Sequence, residues 1–195
     1  MTFRLGLTGS IGMGKSTTAG HFVSQGIPVW DADSAVHRLY AVGGAAVAPL
    51  ARIFSSAVVD DAISRTALKT VIAADPTTLA RIEAIVHPLV AADRATFLAQ
   101  QQSALVVLDI PLLFETGAEA GMDATLLVTA PADLQRDRVL TRPGMTEPLF
   151  ATILARQMPD AEKRKRATHV VETLDLPSVQ AYVKALIVYI RGQNA

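Results

Sequence analysis

Cysteine is absent from this 195-residue chain. That excludes disulfides and thiolate metal ligands, and it fits a reducing compartment, the cytoplasm. A surplus of charge of one sign is also missing, since eighteen Lys and Arg balance eighteen Asp and Glu for a formal net charge of zero. Proteins that live on nucleic acid usually carry a basic surplus, so no nucleic-acid partner is expected. A local basic site for a small phosphorylated ligand stays open. Long apolar runs are lacking too, although the mean hydropathy is +0.32. The best candidates, 41–51 and 186–190, stop at Arg52 and Arg191, short of the roughly 18 residues a spanning helix needs. No membrane association is expected, and residues 1–9 are too short and too broken by Gly6 for a signal-peptide core. The four histidines show no metal-ligand spacing. Repeats, low-complexity tracts and separating linkers are absent, so a single domain over 1–195 is expected.

Half the residues are hydrophobic and 18% are charged, enough to bury a substantial core. Short apolar runs at 3–8, 27–30, 105–110, 125–129 and 169–172 predict buried strands. Helices are predicted at 15–25, closed by Gly26, and at 34–40, capped by Ser34. The stretch 45–102 reads as mostly helix with a gap near 58–63. Within it Ser64 caps a helix to Ala74, Asp75-Pro76 opens another, and Pro88 stands near the start of a longer one. Further helices are predicted at 132–141, 146–158, 161–167 and 178–191. Short strands alternating with helices indicate an α/β fold, a parallel sheet with helices on both faces. Ligands in such folds bind beyond the carboxyl ends of the strands, here just after Thr8, Trp30, Leu108 and Thr129.

Gly9-Ser10-Ile11-Gly12-Met13-Gly14-Lys15-Ser16 follows the first strand and satisfies G-x-x-x-x-G-K-[ST]. The glycines let successive N–H groups turn inward toward phosphate oxygens, and the next helix adds the positive end of its dipole. Lys15 can reach the β- and γ-phosphates of ATP, and the Ser16 hydroxyl can ligate Mg²⁺. An ordinary glycine-rich turn before a helix is the bland alternative, and the strand–loop–helix context argues against it.

Asp31 and Asp33 follow the second strand. A carboxylate there can orient an attacking hydroxyl or take its proton, or it can simply cap the next helix. Asp109 ends an apolar strand in a Walker-B-like way, a position that binds Mg²⁺ directly or through water. Pro111-Leu112-Leu113-Phe114-Glu115 then supplies an apolar wall with one carboxylate. Arg138 and Arg142 stand four apart and share a helix face if the helix reaches that far. Together with Arg136, Arg156 and the run 163–166 they form a solvated basic face or an arginine-rich lid over transferring phosphate. His87 precedes Pro88 at a predicted helix start, where a lone histidine is more often a cap or packing residue than a catalyst.

Taken in order, these segments resemble the dephospho-CoA kinase family. The resemblance covers nearly the whole chain. Residues 7–17, including Thr8 and Thr17, look like that family's phosphate loop. Asp31-Ala32-Asp33 resembles its Asp-Ala-Asp, and Ile85-Val86-His87-Pro88 its apolar-His-Pro segment. Asp109 to Glu115 is similar to another family segment, and Gln135, Arg138, Arg142 and Gln157 match the lid pattern.

The resemblance implies a P-loop nucleotide-kinase-like core, a helical substrate-binding region at about 41–102 and a lid at about 138–158. It implies an ATP site on residues 9–17, with Ser16 and Asp109 on Mg²⁺ and Lys15, Arg138 and Arg142 acting on the phosphoryl group. It further implies dephospho-CoA contacts from Thr8, Asp33, His87, Leu113 and Glu115, with Asp33 handling the ribose 3′-hydroxyl. After the last strand the chain departs from the pattern: Thr168 and Thr173 stand where the family carries Asp and Asn near the adenine of ATP. Another small-molecule P-loop kinase is the alternative. A guanine-nucleotide switch is disfavoured because no lysine has an aspartate two positions later.

Overall fold

The structure, a computed structural model, describes residues 2–193; Met1, Asn194 and Ala195 lie outside them. The chain divides into two compact units, one running to Trp30 and resuming at Gln101, the other spanning Asp31–Gln100.

The first unit is built on a sheet of five strands: β1 (Phe3–Thr8), β2 (Val29–Asp31), β5 (Leu105–Asp109), β6 (Ala124–Thr129) and β7 (His169–Glu172). Their order is β2-β5-β1-β6-β7. Pairing is parallel between β1 and β5, β1 and β6, and β6 and β7. All residues of β5 and β6 are buried, the signature of strands covered on both faces and the reason both read as unbroken apolar runs. The chain moves first to one side of β1 and then to the other, so the crevice opens at the carboxyl end of β1. Helices α1 (Lys15–Ser24), α6 (Ala132–Leu140), α7 (Glu147–Ala155), α8 (Asp160–Arg166) and α9 (Leu176–Gln193) complete the unit. Val179, Val183, Leu186, Ile187 and Ile190 are buried on α9; this helical spacing lays one stripe into the core formed by Leu5, Leu7, Phe22, Leu126 and Val128.

The second unit has its own core of Leu39, Leu50, Phe54, Ile63, Leu68, Ile82 and Val86. It contains α2 (Ala32–Tyr40), α3 (Val47–Ala51), α4 (Arg65–Ala74) and α5 (Thr78–Ala99), with two short strands β3 (Val58–Val59) and β4 (Ala62–Ile63). Ser64 caps α4 as its sequence predicts, its hydroxyl accepting from the Ala67 N–H at 3.2 Å. Two expectations are corrected here. Asp31, not Ser34, caps α2: its carboxylate accepts from the Ser34 N–H at 2.6 Å. Pro88 does not stand near a helix start but lies inside the 22-residue α5. Its missing N–H is tolerated because Ile82, Ile85, Val86, Leu89 and Val90 pack the flanking turns into the core. The gap expected near 58–63 is present, and it is a β-hairpin whose Asp60 and Asp61 hold φ of 50° and 58°. Asp tolerates this left-handed region through local hydrogen bonding.

Candidate active site

Residues Gly9–Gly14 turn the chain from β1 into α1. Gly12 and Gly14 hold φ of +78° and +85°, which side-chain-bearing residues rarely adopt. A Cβ on Gly12 would also lie 2.5 Å from Val139 Cγ2 on α6. Because Gly14 precedes α1, no side chain caps that helix. Its first N–H groups are therefore left for a ligand, the geometry that binds phosphate. Ser16 and Thr17 are exposed on this first turn, whereas Met13 is buried and its Sδ accepts from the Ala130 N–H.

Two glutamines grip the loop from outside. Gln135 of α6, itself buried, donates Nε2–H to the Ile11 carbonyl at 2.7 Å. Gln157 accepts from the Ile11 N–H at 3.1 Å. Both positions were visible in the sequence, but only as parts of a pattern. The residue they hold lies more than a hundred positions away, beyond any local signal.

Lys15 extends from the first turn of α1 to Asp109 at the end of β5, with Nζ 2.5 Å from Oδ1. Asp109 is almost fully buried, so its charge requires such a partner. Thr8 and Leu113 are both fully buried. The Thr8 hydroxyl donates to the Pro111 carbonyl at 3.1 Å, tying the end of β1 to the loop after β5. Glu115 Oε1 accepts from the Met158 N–H at 2.8 Å and lies 2.9 Å from the ammonium of Lys163, which is wholly buried. Burial opposes the Glu115 charge, yet Lys163 and the Met158 N–H outweigh it and hold the carboxyl below the usual range.

Arg138 donates through two nitrogens to Thr173, at 2.9 Å to Oγ1 and 2.5 Å to the carbonyl. Arg142 does not share its helix face: α6 ends at Leu140 with Thr141 as cap, and Arg142 is exposed on the turn beyond. Both arginines nevertheless edge one cavity of about 330 Å³, with Gly12, Gly14, Thr17 and Thr18 on one side and Leu174, Leu176 and Val179 on another. The remaining basic residues are mostly engaged elsewhere. Arg136 pairs with Glu147, Arg164 with Asp160 and Glu172, and Lys165 with Glu162. Thr168, just before β7, accepts from the Thr125 N–H and donates its own N–H to the Thr125 hydroxyl, tying the approach to β7 to the second residue of β6.

Asp33 and His87 belong to the second unit. Asp33 is exposed in the first turn of α2, and His87 is exposed in the middle of α5, not at a helix start.

A phosphate-binding loop at the mouth of this sheet, with arginines edging the adjoining cavity, defines a P-loop kinase. The sequence model of the dephospho-CoA kinase family matches residues 3–175. A dephospho-CoA kinase from Cereibacter sphaeroides is 65% identical over 189 residues, covering 97% of this chain and 96% of its own. One from Ruegeria pomeroyi is 57% identical over 194 residues, covering 100% and 98%. The crystal structure of TT1252 from Thermus thermophilus superposes with a TM-score of 0.85 at 38% identity, covering 96% of this chain and 97% of that one. A dephospho-CoA kinase from Campylobacter jejuni shares the fold, with a TM-score of 0.72 at 22% identity and full coverage of both chains. The chain belongs to the dephospho-CoA kinase family.

Proposed function

We propose that this protein transfers the γ-phosphoryl group of ATP to the ribose 3′-hydroxyl of dephospho-CoA, releasing CoA and ADP. The observation that carries this reading is the meeting, within one unit, of the phosphate loop and two arginines around a single cavity, in a chain of this family. The cavity suits a nucleotide: N–H groups at the start of α1 face the phosphates, and Leu174, Leu176 and Val179 offer an apolar wall to the nucleoside.

In the reaction the acceptor oxygen forms a bond to the γ-phosphorus while the bond to the bridging oxygen of ADP breaks. Lys15 follows the charge onto that bridge. Arg138 and Arg142 donate to the oxygens of the transferring group. Asp33 orients the 3′-hydroxyl and takes its proton. His87 and Glu115 contact dephospho-CoA, and Thr8 and Leu113 shape that part of the site. The second unit supplies the substrate-binding surface, and 138–158 act as the lid.

The donor set fits Mg²⁺. Ser16 offers an exposed hydroxyl and Asp109 a carboxylate, both hard oxygens. Among the described residues no cluster of three acidic, histidine or cysteine side chains forms a protein-only cage, which suits an ion that takes much of its shell from phosphates and water. When bound, Mg²⁺ neutralises charge on the phosphate oxygens. The balanced net charge supports a small-molecule site and no nucleic-acid partner. The absence of cysteine, together with this metabolic role, supports a cytoplasmic location. Among the described residues no helix is long and apolar enough to cross a membrane.

Incubation with dephospho-CoA and MgATP, read by mass spectrometry, is expected to yield CoA and ADP. Failure to form CoA while AMP in a parallel reaction is phosphorylated would falsify the proposal.

A further inference from the structure

We infer that Thr173 is a positioning residue, which holds the Arg138 guanidinium in register with the phosphate loop. The inference rests on the kinase reading above, in which Arg138 acts on the transferring phosphoryl group.

Thr173 lies one residue past β7 and is 5% exposed. Its N–H donates to the Thr129 carbonyl at 2.8 Å, extending the β6–β7 ladder by one step and fixing the backbone. Its hydroxyl has a single proton to give. The Met13 carbonyl lies at 2.9 Å and the Thr129 carbonyl at 3.3 Å, so the proton goes to Met13, inside the phosphate loop. The oxygen is then free to accept, and Arg138 donates to it at 2.9 Å while its other terminal nitrogen reaches the Thr173 carbonyl at 2.5 Å. Two parallel donors onto two acceptors of one residue fix the plane of the guanidinium as well as its position.

The same side chain touches the loop directly. A Cβ on Gly14 would lie 3.0 Å from Thr173 Oγ1 and 3.2 Å from its methyl. Met13, Gly14, Thr173 and Arg138 thus form one connected chain from the phosphate loop to an arginine that lines the same cavity. Of the five guanidinium N–H groups, two are held by Thr173 and three are left for phosphate oxygens. Misplacing such a donor weakens binding of the transition state more than of the ground state, so the effect belongs in kcat.

A threonine meets this requirement because its hydroxyl donates and accepts at once. Valine has the same shape and does neither; serine does both. The test measures kcat and KM for ATP with dephospho-CoA for Thr173→Val and Thr173→Ser, each alone and in an Arg138→Ala background, with thermal unfolding in parallel. Thr173→Val is expected to lower kcat about ten- to a hundredfold, with KM for ATP changed by less than about threefold. Thr173→Ser is expected to keep kcat within about threefold of the parent. In the Arg138→Ala background Thr173→Val should cost nothing further, because the group it positions is gone.

The inference is overturned if Thr173→Val keeps parental kcat, if Val and Ser are equally impaired, or if Val lowers kcat by the same factor without Arg138. Should Thr173→Val fail to fold, Thr173→Ala takes its place in the same cycle with the same outcomes. A parent protein that makes no CoA overturns the underlying kinase reading and the inference with it, which separates that failure from the others.

Discussion

Lys15 and Asp109 form the closest charged contact of the catalytic mouth, 2.5 Å apart with Asp109 almost fully buried. The sequence marks each residue by its position, Lys15 by the loop pattern and Asp109 by its place at the end of an apolar strand. Their pairing across 94 residues is a product of β1 and β5 lying side by side. Replacing Lys15 with Ala removes a donor to the phosphates and also breaks a buried ion pair. Turnover is expected to fall by about a hundredfold or more, with a loss of stability of about 3 kcal/mol; steady-state kinetics and urea unfolding check the two separately. Near-parental turnover would reduce Gly9–Ser16 to a mere turn. Asp33 and Asp109 can be told apart by metal. Asp109→Asn should be partly rescued by raising Mg²⁺. Asp33→Asn should lose about a hundred- to ten-thousandfold in kcat, keep ATP affinity and show no rescue. The opposite pattern would mean that the two roles are reversed.

At the scale of elements, the segment joining α6 to α7 carries Arg142 and turns at Gly144, whose φ of +76° favours glycine. Pro143-Gly144 marks the break in the sequence, and the structure ends α6 two residues before Arg142. An arginine placed on such a turn acts best when the segment closes over bound phosphate. Arg142→Ala should therefore lower kcat more than it weakens ATP binding, measured by calorimetry on the enzyme without acceptor. A pure affinity defect with parental kcat would reject the lid role. The segment is anchored where it returns: Gln157 holds the Ile11 N–H and the next residue, Met158, donates to Glu115. Gln157→Leu is expected to slow turnover about five- to tenfold through the loop's geometry, while Gln157→Glu, still an acceptor, should retain more of it. Equal losses in the two would argue for simple packing.

For the whole molecule, two hydrophobic clusters divide the chain, and the first unit is braced by the Glu115–Lys163 pair. The folded Glu115 carboxyl titrates below its ordinary value of 4.5. Its contribution to stability is thus complete above that value and is lost as pH falls from there through the lowered folded value. Glu115→Gln should lower the unfolding temperature at neutral pH, because Lys163 keeps a buried charge without its counter-ion. It should also flatten the acid limb of stability below about pH 4.5, where the parent's contribution is lost. Parallel acid limbs in parent and variant, followed by thermal unfolding across pH, would remove this pair from the account.

Local chemistry alone determined much of this protein. Period and punctuation marked β1, α1, β5, β6, β7 and α9 within a few residues, because continuous apolar runs and i, i+4 spacing act over a single element. The eight residues Gly9–Ser16 announced a phosphate site, because glycine at positive φ followed by an uncapped helix is a short-range arrangement. Tertiary structure decided the rest. Pro88 sits inside α5 because packing on both sides outweighs a missing hydrogen bond. The break at 58–63 was legible in the sequence, but its closure as a hairpin at Asp60-Asp61 was not. Asp31 rather than Ser34 caps α2, a choice between two good caps that depends on where the strand before it ends. Gln135 and Gln157 meet at one residue of the phosphate loop, Ile11, and Thr173 joins that loop to Arg138, only because strands distant in sequence lie side by side. A hydrogen bond is directional and reaches about 3 Å, so no pattern along the chain can announce one that spans more than a hundred residues.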